Sequence, residues 1–419
     1  MPDKRDMAAS PAGFAPPAKI VQAVEQTARE PWLEGCARFF RDERKWITDQ
    51  HIEVCRVPAA TFQEQVRAEY LRSLFRDLGY GAQIDEAGNV IAPIIFDKKQ
   101  PYIAVTAHMD TVIAPRGRGD VSVQPDGTID GPGVTDNGAG LAALIALARA
   151  LRENPPRRKP ARNILLVANV AEEGEGNLHG MKYLCHHSPL ASRINAYLVL
   201  DGASIGHITA EALGSRRFEI TIEGPGGHSW NDYGTANPIH ALARTVAELS
   251  ELELPSFPRT TLNVGVIEGG CVVNSIALVA SAKVDIRSRR NSAIQQVVGA
   301  MEDAVRNGVE SENRRSTVRL SGYKIREIGH RPAAGASTEN PVLACVEGVD
   351  TYLGIRSRLD CASTDANVPL SLGVPAVAIG AGGRGGGAHT PSEWYHPEGR
   401  ETGLQRIALA LGTLITTEE

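Results

Sequence analysis

Two histidines and several carboxylates lie just after short apolar runs or in the loops that follow them in this chain. Residues 102–107 lead into His108-Met109-Asp110, residues 164–170 into Glu172-Glu173, residues 197–200 into Asp201, and residues 374–379 into a loop carrying His389. Asp136 stands in Gly131-Pro-Gly-Val-Thr-Asp-Asn-Gly-Ala-Gly140, where glycines permit close backbone approach. Imidazole and carboxylate groups gathered in one crevice carry a large desolvation cost unless a cation offsets it. The donor set suits zinc, with cobalt or manganese as alternatives. Five ligands exceed what one tetrahedral catalytic ion uses while keeping an open position. Two ions about 3.5–4 Å apart, sharing one carboxylate and clamping a water, use them fully.

The elements that must position these groups read as an α/β fold. Runs this apolar suit strands buried on both faces. Residues 141–151 form an Ala/Leu-rich helix closed by Pro155 and Pro156, so the order strand, helix, strand implies a mainly parallel sheet flanked by helices. In such sheets ligands bind at the carboxyl ends of the strands, where the polar residues fall. Ahead of the sheet, residues 1–17 read as a loose tail, residues 18–46 as helical, and residues 61–78 as an amphipathic helix ended by Gly79. From Ser215 the pattern changes: residues 217–223 and 279–287 alternate as strands, and residues 238–252 and 293–309 read as helices. That is an inserted α+β domain, giving a catalytic domain of residues 1–214 and 323–419 and an insertion of residues 215–322.

Composition bounds the partners. With 419 residues, 42% hydrophobic and 22% charged, the chain is long enough and apolar enough for two or three folded domains. Its 44 Lys and Arg against 49 Asp and Glu leave a net charge of −5, a poor field for nucleic acid or anionic lipid. No apolar run reaches the ~18 residues that span a membrane, and the first residues never develop a secretion signal, so the expected location is cytoplasmic. The six cysteines, Cys36, Cys55, Cys185, Cys271, Cys345 and Cys361, show no pairing pattern and read as buried or idle thiols. His51, His179, His186, His187, His207, His240, His330 and His396 read as ordinary hydrogen-bonded or surface histidines.

The motifs Ala107-His-Met-Asp-Thr-Val112, Gly133-Val-Thr-Asp-Asn-Gly138, Ala171-Glu-Glu-Gly-Glu-Gly176, Leu200-Asp-Gly202, Gly226-Gly-His-Ser229 and Ala388-His-Thr-Pro-Ser-Glu393 occur in one order and spacing. In these the chain resembles the cocatalytic dizinc amidohydrolases that include carboxypeptidase G, aminoacylase, succinyl-diaminopimelate desuccinylase and peptidase T. The resemblance implies that Asp136 bridges two metals, one also held by His108 and Asp201, the other by Glu173 and His389. It implies that Asp110 orients the His108 ring, that Glu172 is the general base, and that the Asp136-Asn137 peptide bond is cis. The inserted domain corresponds to the family's lid and dimerisation domain. There His228 would reach the partner subunit's site to meet the developing oxyanion, and Asn274 and Arg287 would hold a substrate carboxylate. For Arg287 a surface ion pair is the competing reading, for Asn274 a turn, for His228 a plain loop histidine.

The resemblance therefore implies a homodimer with two divalent ions per chain, hydrolysing an amide bond in a small peptide or N-acyl amino acid. Leu200-Asp-Gly-Ala and Glu211-Ala-Leu-Gly214 are similar to peptidase T, which acts as an aminopeptidase on tripeptides, whereas the Gly-Gly-His-Ser loop is similar to the carboxypeptidase and acylase branch. A non-catalytic peptide-binding protein of the same fold is the reading from another class, and Glu172 argues against it. The glycine-rich stretch 380–387 reads equally as a substrate-facing loop or a turn.

Overall fold

The computed structural model describes residues 16–335, 337 and 339–417, so most of the tail expected at 1–17 lies outside the described residues. The chain forms two compact units, Met1–Ala212 with Ala336–Glu419, and Leu213–Gly335.

The first unit is built on an eight-stranded sheet in the order Gln83–Ile84, Val90–Ile94, Asn163–Asn169, Tyr102–His108, Ile194–Leu200, Ala376–Ile379, His207–Ala212, Arg358–Ala362. The four strands Asn163–Asn169, Tyr102–His108, Ile194–Leu200 and Ala376–Ile379 are mutually parallel. Val90–Ile94 and His207–Ala212 flank this quartet antiparallel. The expected mixed, mainly parallel sheet is thus present. Every residue of Tyr102–His108 and Asn163–Asn169 is buried, which is why these strands read as continuous apolar runs rather than alternating ones. The two-residue period of a strand still sorts them. Ile103, Val105 and Ala107 join one core, and Tyr102 and Ala104 join another. The helix Gly138–Glu153, with nearly all of its side chains buried, belongs to the first of these cores.

The N-terminal helical pattern resolves into three helices, Ala18–Ala28, Pro31–Asp42 and Arg44–Cys55, instead of the single stretch expected over 18–46. Pro31 cannot donate a backbone hydrogen bond, so it breaks one helix and starts the next. The next helix, Gln65–Asp77, begins later than the expected residue 61 because residues 60–63 form a turn closed by Gln63 N–H on the Ala60 carbonyl at 2.7 Å. Gly79, at φ +88°, ends it as expected.

The second unit is an antiparallel four-stranded sheet in the order Thr260–Gly269, Val279–Ser288, Gly214–Glu223, Gly322–Arg331. The helices Pro238–Ser250 and Asn291–Arg315 pack against it through a separate apolar core. Gly322–Arg331 carries this unit past the boundary expected at 322. That strand lacks an apolar run, since Lys324 and Arg326 pair with Glu223 and Glu219 on the neighbouring strand.

All six cysteines are free thiols. Burial pushes those of Cys36, Cys55 and Cys345 up to about 12, leaving them inert, while Cys271 is a free, exposed thiol. Among the described residues no helix is long and apolar enough to cross a membrane.

Candidate active site

The four parallel strands end on the same side of the sheet, and each delivers a polar group there. His108 is the last residue of its strand. Ala171-Glu172-Glu173 follows Asn163–Asn169, Asp201 follows Ile194–Leu200, and the segment after Ala376–Ile379 leads to His389. Ligand atoms of His108, Asp136 and Asp201 lie within 4.8 Å of one another, as do those of Asp136, Glu173 and His389, and those of His108, Glu172 and Glu173. Asp136 belongs to two of these groups. Its Oδ1 lies 3.1 Å from His108 Nε2 and its Oδ2 lies 3.1 Å from His389 Nε2. His389 Nε2 is also 2.7 Å from Glu173 Oε1.

The charges of this cluster act strongly on one another. Four carboxylates face two imidazoles, and the groups shift one another accordingly. Burial first, then the negative charge of Asp136, pushes Asp201 up to about 7, and burial also raises Glu173. Hydrogen bonding to Asp136 raises His389 to about 9. Burial opposes protonation of His108, but the carboxylates of Asp110 and Asp136 outweigh it and hold that ring well above its usual range. Asp136 itself is held low, the two histidines overcoming its burial. Two divalent ions would relieve these opposed demands. The donor set fits them, since each ion would take three protein ligands, the shared Asp136 among them.

The Asp136 loop is fixed by groups outside the ligand set. Glu393 Oε1 accepts the N–H groups of Thr135 and Asp136, each at 2.8 Å, and its Oε2 accepts that of Gly133 at 2.7 Å. Gly133 takes φ +71°, and a β carbon there would fall 2.3 Å from Thr111 Cγ2. The Asp136-Asn137 bond is cis, as the resemblance implied. Asn137 Nδ2 donates to the Leu200 carbonyl at 2.8 Å and its Oδ1 accepts the Gly202 N–H at 3.2 Å, tying this loop to both sides of Asp201.

Asp110 has wider contacts than orientation of His108. Its backbone carbonyl lies 3.1 Å from His108 Nδ1 and its Oδ1 lies 3.5 Å from the same atom. The carboxylate also accepts the N–H groups of Glu172 and Glu173, each at 2.9 Å, and the Thr61 hydroxyl at 3.0 Å. Glu64 Oε1 accepts the Ala171 N–H at 3.0 Å, and the buried Arg67 guanidinium donates to the Met109 carbonyl at 2.6 Å. Asn169 Nδ2 donates to the buried Asp365 at 2.6 Å, and Asp365 adds to the negative charge felt by Asp201. Sequence reading missed Thr61, Glu64, Arg67, Asn137, Asp365 and Glu393 as site residues. Only Asn137 and Glu393 lay inside motifs that marked the site.

The remaining expected site residues lie in the second unit. His228 and Ser275 pair across two short antiparallel strands, and the Asn274 carbonyl accepts the Ser229 N–H at 3.1 Å, so His228 and Asn274 share one local structure. His228 Nδ1 accepts the Trp230 N–H at 3.2 Å, which assigns the ring proton to Nε2. Arg287 stands on Val279–Ser288, where its Nε donates to Asp285 Oδ2 at 2.6 Å, the ion pair that competes with a carboxylate-binding role. In the first unit, Arg384–Gly386 pairs with Trp394–His396. Gly383 abuts the Tyr395 ring, so part of the glycine-rich stretch is a tightly packed strand and turn.

The chain is similar to known proteins in sequence and in fold. The sequence profile described as Peptidase family M20/M25/M40 matches residues 104–413. A peptidase M20 domain-containing protein of Sordaria macrospora is 27% identical over 310 residues, covering 64% of this chain and 66% of that protein, just under two thirds of its length. Acetylornithine deacetylase of Shigella sonnei is 24% identical, covering 77% of this chain and 84% of its own. The crystal structure of a tripeptidase from Staphylococcus aureus superposes with a TM-score of 0.69 at 22% identity, covering 88% of this chain and 96% of its own, a likeness of fold.

Proposed function

The chain belongs to peptidase family M20/M25/M40, and on that premise we propose that it hydrolyses the amide bond of a small peptide or N-acyl amino acid at a centre of two divalent ions. The observation that carries this reading is the position of Asp136, whose two carboxylate oxygens each face the Nε2 of a different histidine at 3.1 Å. His108, Asp136 and Asp201 would hold one ion, and Asp136, Glu173 and His389 the other, with zinc the metal of choice and cobalt or manganese as substitutes. When bound, such a pair polarises the scissile carbonyl and makes water acidic enough to be deprotonated near neutral pH.

The protein's own groups do the rest. Glu172, buried at 5% exposure and fixed through its backbone N–H to Asp110, takes the proton of the attacking water and passes it to the leaving amine. Asp110 keeps Nδ1 of His108 engaged, so that Nε2 faces the centre. His228, with its proton on Nε2, donates to the carbonyl oxygen as charge develops there. In this reading it acts on the site of a second subunit, in a cytoplasmic homodimer joined through the Leu213–Gly335 units, and Asn274 and Arg287 receive the free carboxylate of the substrate.

Metal analysis of the purified protein, joined to hydrolysis of a panel of dipeptides, tripeptides and N-acyl amino acids before and after chelation, tests the proposal. About two ions per chain and turnover abolished by chelation and restored by zinc are expected. Unchanged turnover in the metal-free protein contradicts it. Turnover of tripeptides alone would favour the peptidase T-like alternative.

A further inference from the structure

The turn at residues 60–63 carries a residue that the turn itself does not favour. Phe62 is its third residue and has φ +70°, a conformation that glycine or asparagine adopts readily and a bulky side chain does not. Burial does not account for the choice, since Phe62 is 64% exposed. Val66, four positions on, and Val112, fifty positions on, are exposed as well. Ala60 pairs with Thr111, and the Thr111 N–H donates to the Ala59 carbonyl at 2.9 Å, so the segments bearing Phe62 and Val112 meet at Ala60 and Thr111.

Both flanks of Phe62 touch the supports of the candidate centre. Thr61 donates to Asp110, the carboxylate that holds Glu172 and Glu173, and Glu64 accepts the N–H of Ala171, the residue before Glu172. A β carbon placed on Gly176 would come within 2.6 Å of Thr61 Cγ2, so the turn rests directly on the loop that carries both glutamates. Strained, exposed side chains held by well-ordered neighbours concentrate where proteins contact ligands.

We propose that Phe62, together with Val112, forms an apolar subsite beside Glu172 that receives a large apolar side chain of the amide substrate. The inference rests on the amide-hydrolase reading and narrows it to substrates bearing such a group. The subsite selects by contact area, which distinguishes a phenylalanine side chain from the hydrogen of glycine.

The test compares wild type, Phe62→Gly and Val112→Ser on two matched pairs, Gly-Phe against Gly-Gly and N-acetylphenylalanine against N-acetylglycine. It measures kcat and KM, the Kd of the same compounds by titration calorimetry on the Glu172→Gln background, and Tm. Wild type is expected to prefer the phenylalanine member, and Phe62→Gly to cut that preference about tenfold through KM and Kd. Its Tm should be no lower than wild type, because glycine adopts the turn without strain. Val112→Ser should shift the preference in the same direction. Wild type without the preference, or both variants retaining it, overturns the subsite, and so does a preference lost only with a lowered Tm in Phe62→Gly and kept in Val112→Ser. Lack of turnover on every compound counts against the amide-hydrolase reading instead, and the Kd values then decide the subsite independently.

Discussion

The carboxylate of Asp110 accepts the backbone N–H of Glu172 at 2.9 Å while its backbone carbonyl lies 3.1 Å from His108 Nδ1. One residue thus positions both a proposed metal ligand and the proposed general base. An asparagine at 110 keeps the size but presents an NH2 group to one of the two backbone donors it now serves. Asp110→Asn is expected to lower kcat by about 10- to 100-fold and to weaken metal retention, measured by steady-state kinetics and metal analysis after dialysis.

Glu393 stands in the same relation to Asp136. Its two oxygens accept three backbone N–H groups of the Asp136 loop, and burial raises its pKa against the pull of those bonds. Glu393→Gln sets an amide donor against at least one of those N–H groups and leaves it without an acceptor. A loss of about 2 kcal/mol in urea unfolding, accompanied by lower metal occupancy, is the expected result.

How far the sequence disclosed this site depends on which groups lie next to an apolar strand. His108, Glu173 and Asp201 stood out because buried strands end abruptly in polar residues, and Asp136 because its loop is crowded with glycines. Glu64 gave no such signal. It precedes an ordinary amphipathic helix and reaches Ala171 only after the chain has folded, a contact spanning 107 positions. The strand Gly322–Arg331 was illegible for the opposite reason, since half-exposed strands tied by ion pairs do not need apolar residues. Pro31 did carry a signal, since a proline starts a helix more readily than it continues one.

His51 gives the stability a defined pH dependence. Buried completely, with Nε2 2.7 Å from the Val134 carbonyl, it is pushed down to about 3 by burial and, less, by Arg400. As pH falls below about 6.5 the unfolded chain binds a proton at this residue and the folded one does not. The His51 contribution is therefore intact at neutral pH and is lost progressively toward pH 3, on the order of 1.4 kcal/mol per pH unit. Unfolding free energies of wild type and His51→Gln should diverge at neutral pH and converge as the solution is acidified. Parallel curves would contradict the assignment.

Assembly is tested by complementation. His228→Ala and Glu172→Gln chains should each be inactive alone, yet a mixed dimer holds one site with both residues intact if His228 acts across the interface. Mixing under conditions of confirmed subunit exchange should restore up to about a quarter of wild-type activity, the share expected when half the dimers are mixed and each has one complete site. No recovery after exchange would remove His228 from the partner's site.

The central claim is a metal-dependent amide hydrolase in which Glu172 moves the proton, and it is tested most directly by Glu172→Gln assayed for metal content and turnover in the same preparation. The variant is expected to keep about two ions per chain and the wild-type Tm while kcat falls by about 100-fold or more, because an amide cannot accept the water's proton. Near-wild-type turnover with full metal content would contradict the account.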